Sequence, residues 1–337
     1  MSGISTTDAS HAVPVGPPPP FDPELQPAMD EMSSRGGMML SLELLPAIRQ
    51  APSPFPVPTL EDIRRDGAFE VTERLVPGPA GAPDVSLLIC HPAAATGAVP
   101  CLYFIHGGGM ILGDNRSGGF LGALDHAAEL GAAVVSVEYR LAPETPHPGP
   151  VEDCYAGLLW VVENAAELGI DPARVIVGGA SAGGGLAAAV VLLSRDRGGP
   201  AVAAQMLLCP MLDDRNDTPS THQMAGIGLW DQGANEVGWT ALLGPAAGGP
   251  DVSPYAAPAR ASDLSGLPPT FIDVGSAETF RDEDVAYATA IWQAGGQAEL
   301  HVWPGGFHGF AGMVPDAAIS KACVAAQRSW LGRILAG

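Results

Sequence analysis

Along the chain, short apolar runs alternate with longer stretches whose apolar positions recur with helical period. The runs FEVTERLV, VSLLICHP, PCLYFIH, AAVVSVEYR, RVIVGG, AQMLLCP, TFIDVG and ELHVW fall between residues 69 and 303. They are β-branched, short and bounded by turn residues, so they predict strands. Helical patterns lie between the later runs, at 151–168, 182–195 and 282–293, and a last helix is predicted near 317–335. In that helix Ile319, Cys323, Ala326, Trp330 and Ile334 recur at spacings of three or four, which makes one apolar face. Strands separated by helices of this length require right-handed crossovers and a mostly parallel sheet covered on both faces. The fold class is α/β. The first 60 residues differ: proline-rich segments (PVGPPPPFDP, APSPFPVP) flank a Met-rich stretch of helical pattern, and this region reads as an accessory layer.

Composition narrows the picture. A chain of 337 residues suits one large domain with an added lid. Hydrophobic residues make up 47% of it, yet no uninterrupted apolar run reaches the 18 or so residues of a membrane-spanning helix. The N-terminus has neither a basic region nor an apolar core of the secretory kind, so the cytoplasm is the expected location. The formal net charge is −21 and Lys321 is the only lysine, which argues against nucleic acid and anionic membranes as partners. Small uncharged or cationic molecules fit better. Five scattered cysteines, Cys90, Cys101, Cys154, Cys209 and Cys323, form no C-x-x-C pair and sit near no histidine at metal-ligand spacing. They read as buried thiols in a reducing compartment.

The candidate chemistry centres on Gly179-Ala180-Ser181-Ala182-Gly183, a G-x-S-x-G match. In a chain with 43 glycines the pentapeptide alone decides little. Its context decides more, because it follows the strand RVIVGG and precedes a buried helical pattern, where a serine can stand exposed at a sharp strand-to-helix turn. Upstream, His106-Gly107-Gly108-Gly109 closes another strand. Such a loop can turn backbone N–H groups into a cavity, as acyl transfer requires for the oxyanion of its tetrahedral intermediate. The expected donors are Gly108, Gly109 and the N–H of Ala182. No H-E-x-x-H and no P-loop is present, so no metal and no cofactor are expected.

Taken together, HGGG, EYRLAPETPHPGPVEDCYAGLLW, GASAGGG, DLSGLPPTFIDVGSAETFRDE and PGGFHGF resemble the hormone-sensitive-lipase-like branch of α/β-hydrolase esterases, bacterial family IV. The resemblance runs from about residue 69 to the C-terminus. It implies an eight-stranded, mostly parallel sheet flanked by helices, with a helical cap made from residues 1–60 and from an insertion at about 213–253 in the catalytic domain, 61–337. It also implies a serine nucleophile, Ser181, followed by an acid and then a histidine. His222, His301 and His308 lie downstream; His222 falls in the insertion and His301 in mid-strand, whereas the glycine-rich loop PGGFHGF can carry His308 over the serine. Glu278, Asp282, Glu283 and Asp284 compete for the acid. Relatives resemble D-P-L-R-D-E here, with the first Asp catalytic thirty residues before the histidine, and counting back from His308 gives Glu278, with Asp282 as runner-up. Two departures stand out: Glu in place of Asp, and Ala180 where relatives usually carry Asp or Thr. YRLAPE and the pair Glu152-Asp153 read as structural, a strand end, a turn and an acidic first helical turn.

The resemblance implies a carboxylesterase for short- to medium-chain acyl esters. Met38, Met39, Met224, Trp230 and Trp239 are available to line an apolar pocket or to pack the cap. Amide, formamide or lactone hydrolysis by the same triad, and ligand binding without turnover, are the alternative readings. Relatives often pair, so a homodimer is open.

Overall fold

The computed structural model describes residues 15–34, 40–51 and 57–336. Eight strands, β1 (Phe69–Val76), β2 (Val85–Pro92), β3 (Val99–Ile105), β4 (Ala133–Glu138), β5 (Ile170–Ala180), β6 (Ala204–Leu208), β7 (Thr270–Gly275) and β8 (Ala298–Trp303), form one sheet in the order β1-β2-β4-β3-β5-β6-β7-β8. β2 pairs antiparallel with β1 and with β4, and every later neighbour is parallel. Each strand coincides with a predicted apolar run. β5 starts earlier than its run because Ile170 pairs with Val99 ahead of a register shift.

The apolar runs of the inner strands are continuous because both faces of the sheet are covered there; the edge strand β1, with Glu70, Thr72, Glu73 and Arg74 exposed, is the exception. Leu87, Tyr103 and Val135 pack on one side with Leu158 and Val190, whereas their neighbours Leu88, Phe104 and Val134 pack on the other with Leu124, Phe271 and Trp330. Helices Gly149–Glu163, Ala182–Arg197, Arg281–Gln293 and Ala318–Ala336 occupy the predicted stretches to within a few residues. The helix Phe120–Leu130, between β3 and β4, was not predicted. Its sequence hides it, since Gly118, Gly119 and Gly122 dilute the period, while Gly119 (φ 100°) and Gly131 (φ 63°) start and stop it in the left-handed region.

The Met-rich N-terminal stretch holds two separate helices, Gln26–Ser34 and Leu45–Gln50. Met29 of the first, with Leu25 just ahead of it, packs against Phe307 and Phe310, and the Asp22 N–H donates to Gly305 O at 3.0 Å. From the second, Arg49 donates to the carbonyls of Ile111 and Ala142 and pairs with Glu144 at 2.7 Å. Between β6 and β7 the chain makes helices Pro219–Gln223 and Gln232–Leu243.

Asp153 is structural, as expected, although it lies just past the acidic first turn: its carboxylate is fully buried and takes both the Nε and the Nη2 of Arg140 at 2.7 Å, with the Arg140 N–H at 3.0 Å. This bidentate pair ties the strand end of YRLAPE to the helix below it. Glu152 does face outward, where it pairs with Arg197.

Candidate active site

The sheet order sets the site. β3 and β5 are neighbours, with Ile105 opposite Gly179, so the loop after β3 meets the turn after β5. The turns after β7 and β8 come from the same, carboxyl, edge of these parallel strands, where α/β sheets bind their ligands.

Ser181 occupies the turn between β5 and helix Ala182–Arg197 with φ 58° and ψ −123°. A non-glycine residue there carries strain of order 1–3 kcal/mol and needs surroundings that over-determine it. The Ser181 N–H donates to Leu208 O at 2.8 Å, and Ser181 O accepts from the N–H groups of Gly185 and Met211 at 3.1 and 3.0 Å. Side chains are excluded on both flanks: a Cβ on Gly179 would lie 2.2 Å from Gly183 O, and one on Gly183 would lie 2.0 Å from Ile105 O. The two glycines of G-x-S-x-G are therefore steric requirements of the turn.

The structure brings Ser181, His308 and Glu278 together. His308 Nε2 lies 2.9 Å from Ser181 Oγ, and His308 Nδ1 lies 3.1 Å from Glu278 Oε1. Glu278 Oε2 accepts the Gly275 N–H at 3.1 Å, which fixes the carboxylate after β7. Phe280 packs edge-on against the imidazole, 5.2 Å between ring centroids. Ser181 and His308 each keep 8% of their surface exposed and Glu278 keeps 2%. The other candidates lie elsewhere. Asp282 accepts the Ser220 N–H at 2.7 Å and pairs with Arg281. Glu283 accepts the N–H groups of Leu212 and Asp213, and Asp284 is wholly buried; burial pushes both carboxyls well above the usual range. His301 pairs with Glu299 and stacks on Trp303, and His222 is exposed beside Gln232.

The His106-Gly109 loop lies against the turn, since a Cβ on Gly107 would come within 2.8 Å of Ala180 O. Among the described residues the N–H groups of Gly108 and Gly109 have no acceptor. Ala182 opens its helix, so its N–H is also free of the helical ladder. His106 itself is buried, stacked on Tyr139 at 4.2 Å, with Nδ1 2.8 Å from Gly107 O; burial pulls its pKa down to about 4, so it stays neutral and braces the loop.

Residues 229–230 of the β6–β7 insertion reach both loops. Trp230 packs on Gly109, where a Cβ would lie 2.2 Å from the indole, and Leu229 lies over Gly309 beside His308. Thr279, next to Glu278, anchors this segment through its hydroxyl to Trp230 O at 2.7 Å. Met224 and Trp239 are buried, and Met38 and Met39 lie outside the described residues. Cys209 departs from the reading of the cysteines as buried: four are buried, but Cys209 is only partly covered and stands beside Glu278 and His308. No local sequence pattern marks it, because it reaches the site through the adjacency of β6 and β7.

An α/β sheet with a strained serine at the β5 turn, facing a histidine and a carboxylate, defines the α/β hydrolase class. Comparison with known proteins agrees. Residues 102–312 match the family model described as alpha/beta hydrolase fold, and the chain belongs to that family, in its hormone-sensitive-lipase-like branch. It is 36% identical over 259 residues to carboxylesterase NlhH of Mycobacterium tuberculosis, covering 74% of this chain and 79% of that protein. To carboxylic ester hydrolase LipN of the same organism it is 37% identical over 280 residues, covering 79% and 72%. Among solved structures, Bacterial Heroin Esterase superposes with a TM-score of 0.83 at 41% identity, covering 94% of this chain and 98% of the other. A thermostable esterase from Pseudomonas putida gives 0.79 at 28% identity, covering 95% and 99%. The chain is a hydrolase. Among the described residues no helix is long and apolar enough to cross a membrane.

Proposed function

We propose that this chain is a serine carboxylesterase that hydrolyses short- to medium-chain acyl esters through an acyl-enzyme on Ser181. The observation that carries the reading is the relay from Ser181 Oγ to His308 Nε2 at 2.9 Å and from His308 Nδ1 to Glu278 at 3.1 Å, on a serine held in strained geometry. The relatives named carboxylesterase and carboxylic ester hydrolase support the ester as substrate.

In this scheme Ser181 Oγ attacks the ester carbonyl carbon while His308 Nε2 takes the hydroxyl proton. Glu278 holds the proton of the imidazole on Nδ1 and stabilises the imidazolium that forms. The N–H groups of Gly108, Gly109 and Ala182 receive the oxyanion. The imidazolium returns its proton to the leaving alcohol, and water, deprotonated by His308, releases the acid by the same route. The segments 1–60 and about 213–253 act as the cap, with Trp230 over the oxyanion loop limiting the acyl chain. Residence in the cytoplasm and a small-molecule ester as substrate belong to the same proposal.

The test is hydrolysis of p-nitrophenyl esters from acetate to palmitate by wild type and Ser181→Ala. Activity should peak at short or medium chains. The variant should lose on the order of 10⁴- to 10⁶-fold in kcat while unfolding at the same denaturant concentration. A folded wild type active only on amides or lactones, or a variant that keeps most of the activity, overturns the reading.

A further inference from the structure

The acyl-transfer scheme leaves one chemically active side chain at the site unused. Cys209 follows β6 with φ 38°, and its N–H donates to Asp273 O at 2.7 Å, which seats the residue beside the β7 turn. Its Sγ, a carboxylate oxygen of Glu278 and a ring nitrogen of His308 all lie within 4.8 Å of one another. The residue keeps some of its surface exposed, while the thiol itself is packed inside the site. Thiolate, carboxylate and imidazole together suit borderline and soft divalent cations such as Zn²⁺ and its softer analogue Cd²⁺. Ligand atoms about 2.0–2.3 Å from a tetrahedral ion stand about 3.3–3.8 Å apart, so a contraction of about 1 Å closes this group around one.

We propose that Cys209, Glu278 and His308 form a binding site for a thiophilic divalent cation, and that occupying it switches the enzyme off. The inhibitory part rests on the serine-hydrolase reading; the binding part does not. Binding forms a metal–sulfur bond and breaks the Cys209 S–H bond, whose proton leaves to solvent. The nitrogen facing Glu278 is Nδ1, so for Nδ1 to ligate, its proton moves to Nε2. Nε2 then becomes a donor towards Ser181 Oγ and can no longer accept the hydroxyl proton. Charge balances, because one thiolate and one carboxylate meet two positive charges while the imidazole stays neutral. No electron is transferred. Without the cation, burial and the nearby Glu278, Asp273 and Asp284 hold the thiol protonated, which leaves Ser181 as the nucleophile.

The full chain is titrated with CdCl₂ in thiol-free buffer while thiolate-to-cadmium charge-transfer absorption and p-nitrophenyl acetate hydrolysis are followed, and EDTA is added at the end. The expected result is one equivalent of Cd²⁺ developing the band, activity falling in parallel and EDTA reversing both. Cys209→Ser and Cys209→Ala should each lose the band and raise the half-inhibiting Cd²⁺ concentration at least about tenfold relative to their own metal-free rates. Cys323→Ser, altered at a buried thiol bonded to Asp273, should keep the wild-type response. Ser181→Ala should keep the band without turnover, so failure of the esterase reading and failure of the cation site remain distinguishable. A band that persists in both Cys209 variants, no band in wild type at stoichiometric Cd²⁺, or unchanged inhibition of the Cys209 variants overturns the proposal.

Discussion

Glutamate in place of aspartate as the proposed triad acid makes a prediction that the geometry quantifies. The Glu278 carboxylate reaches His308 Nδ1 at 3.1 Å because its side chain is one methylene longer than that of aspartate. Glu278→Asp withdraws it by about one C–C bond, 1.5 Å, which opens the contact to about 4.6 Å. A hydrogen bond to a charged group contributes about 1.5–3 kcal/mol. At 1.36 kcal/mol per factor of ten, the shorter acid should cost this chain about 10- to 150-fold in kcat. Glu278→Gln should cost more. The Gly275 N–H binds Oε2, so the amide oxygen stays there and the NH₂ turns to Nδ1. That forces the proton onto Nε2, the tautomer that cannot accept from serine, and a loss on the order of 10⁴ follows. Asp282→Asn is the control: it weakens the contacts to Ser220 and Arg281, costing about 1 kcal/mol of stability and little rate. The assay is kcat for p-nitrophenyl acetate, with urea unfolding measured in parallel. A larger kcat loss in Asp282→Asn than in Glu278→Gln, or an undiminished Glu278→Asp, refutes the reasoning.

Two further outcomes are expected. Gly109→Ala places a Cβ 2.2 Å from the Trp230 ring at φ 63°, so it should lose about 1–3 kcal/mol of stability and more than about tenfold in kcat/KM; wild-type melting and rate would contradict this. Glu138 has its pKa raised from 4.5 to about 7, chiefly by burial, so the folded state binds its proton more tightly than the unfolded state does. Stability should therefore fall as pH rises from about 4.5 to about 7, and Glu138→Gln, which can still accept the Asn115 N–H, should flatten that fall in urea titrations. An unchanged slope would show that another group carries it.

The inner strands were legible because strands buried on both faces read as unbroken apolar runs, whereas the mostly exposed edge strand β1 was marked by its apolar and β-branched residues between turns. Helix Phe120–Leu130 was not, because its glycines sit at the ends and within the first turn, where they serve packing and capping and weaken the period that reveals a helix. The Met-rich N-terminal stretch misled in the opposite way: its helical pattern extends across residues 35–39, outside the described residues, yet the helices on either side pack against different loops.

The site divides along the same line. Ser181, Gly179 and Gly183 are legible because one sharp turn imposes its demands within five consecutive residues, and each glycine there answers a contact of 2.2 Å or less. Glu278 could be placed only by counting from His308 with the spacing that the family resemblance implies, since four carboxylates crowd the same seven residues and nothing local separates them. What separates them is long-range: Ser220 takes Asp282, the backbone at 212–213 takes Glu283, and only Glu278 faces an imidazole. Asp153, Trp230 and Cys209 belong to this second kind, since each is defined by a partner from another element. Pattern and spacing thus reach a site as far as its chemistry is local; beyond that, strand adjacency decides, and it is adjacency that sets a thiol beside Glu278 and His308.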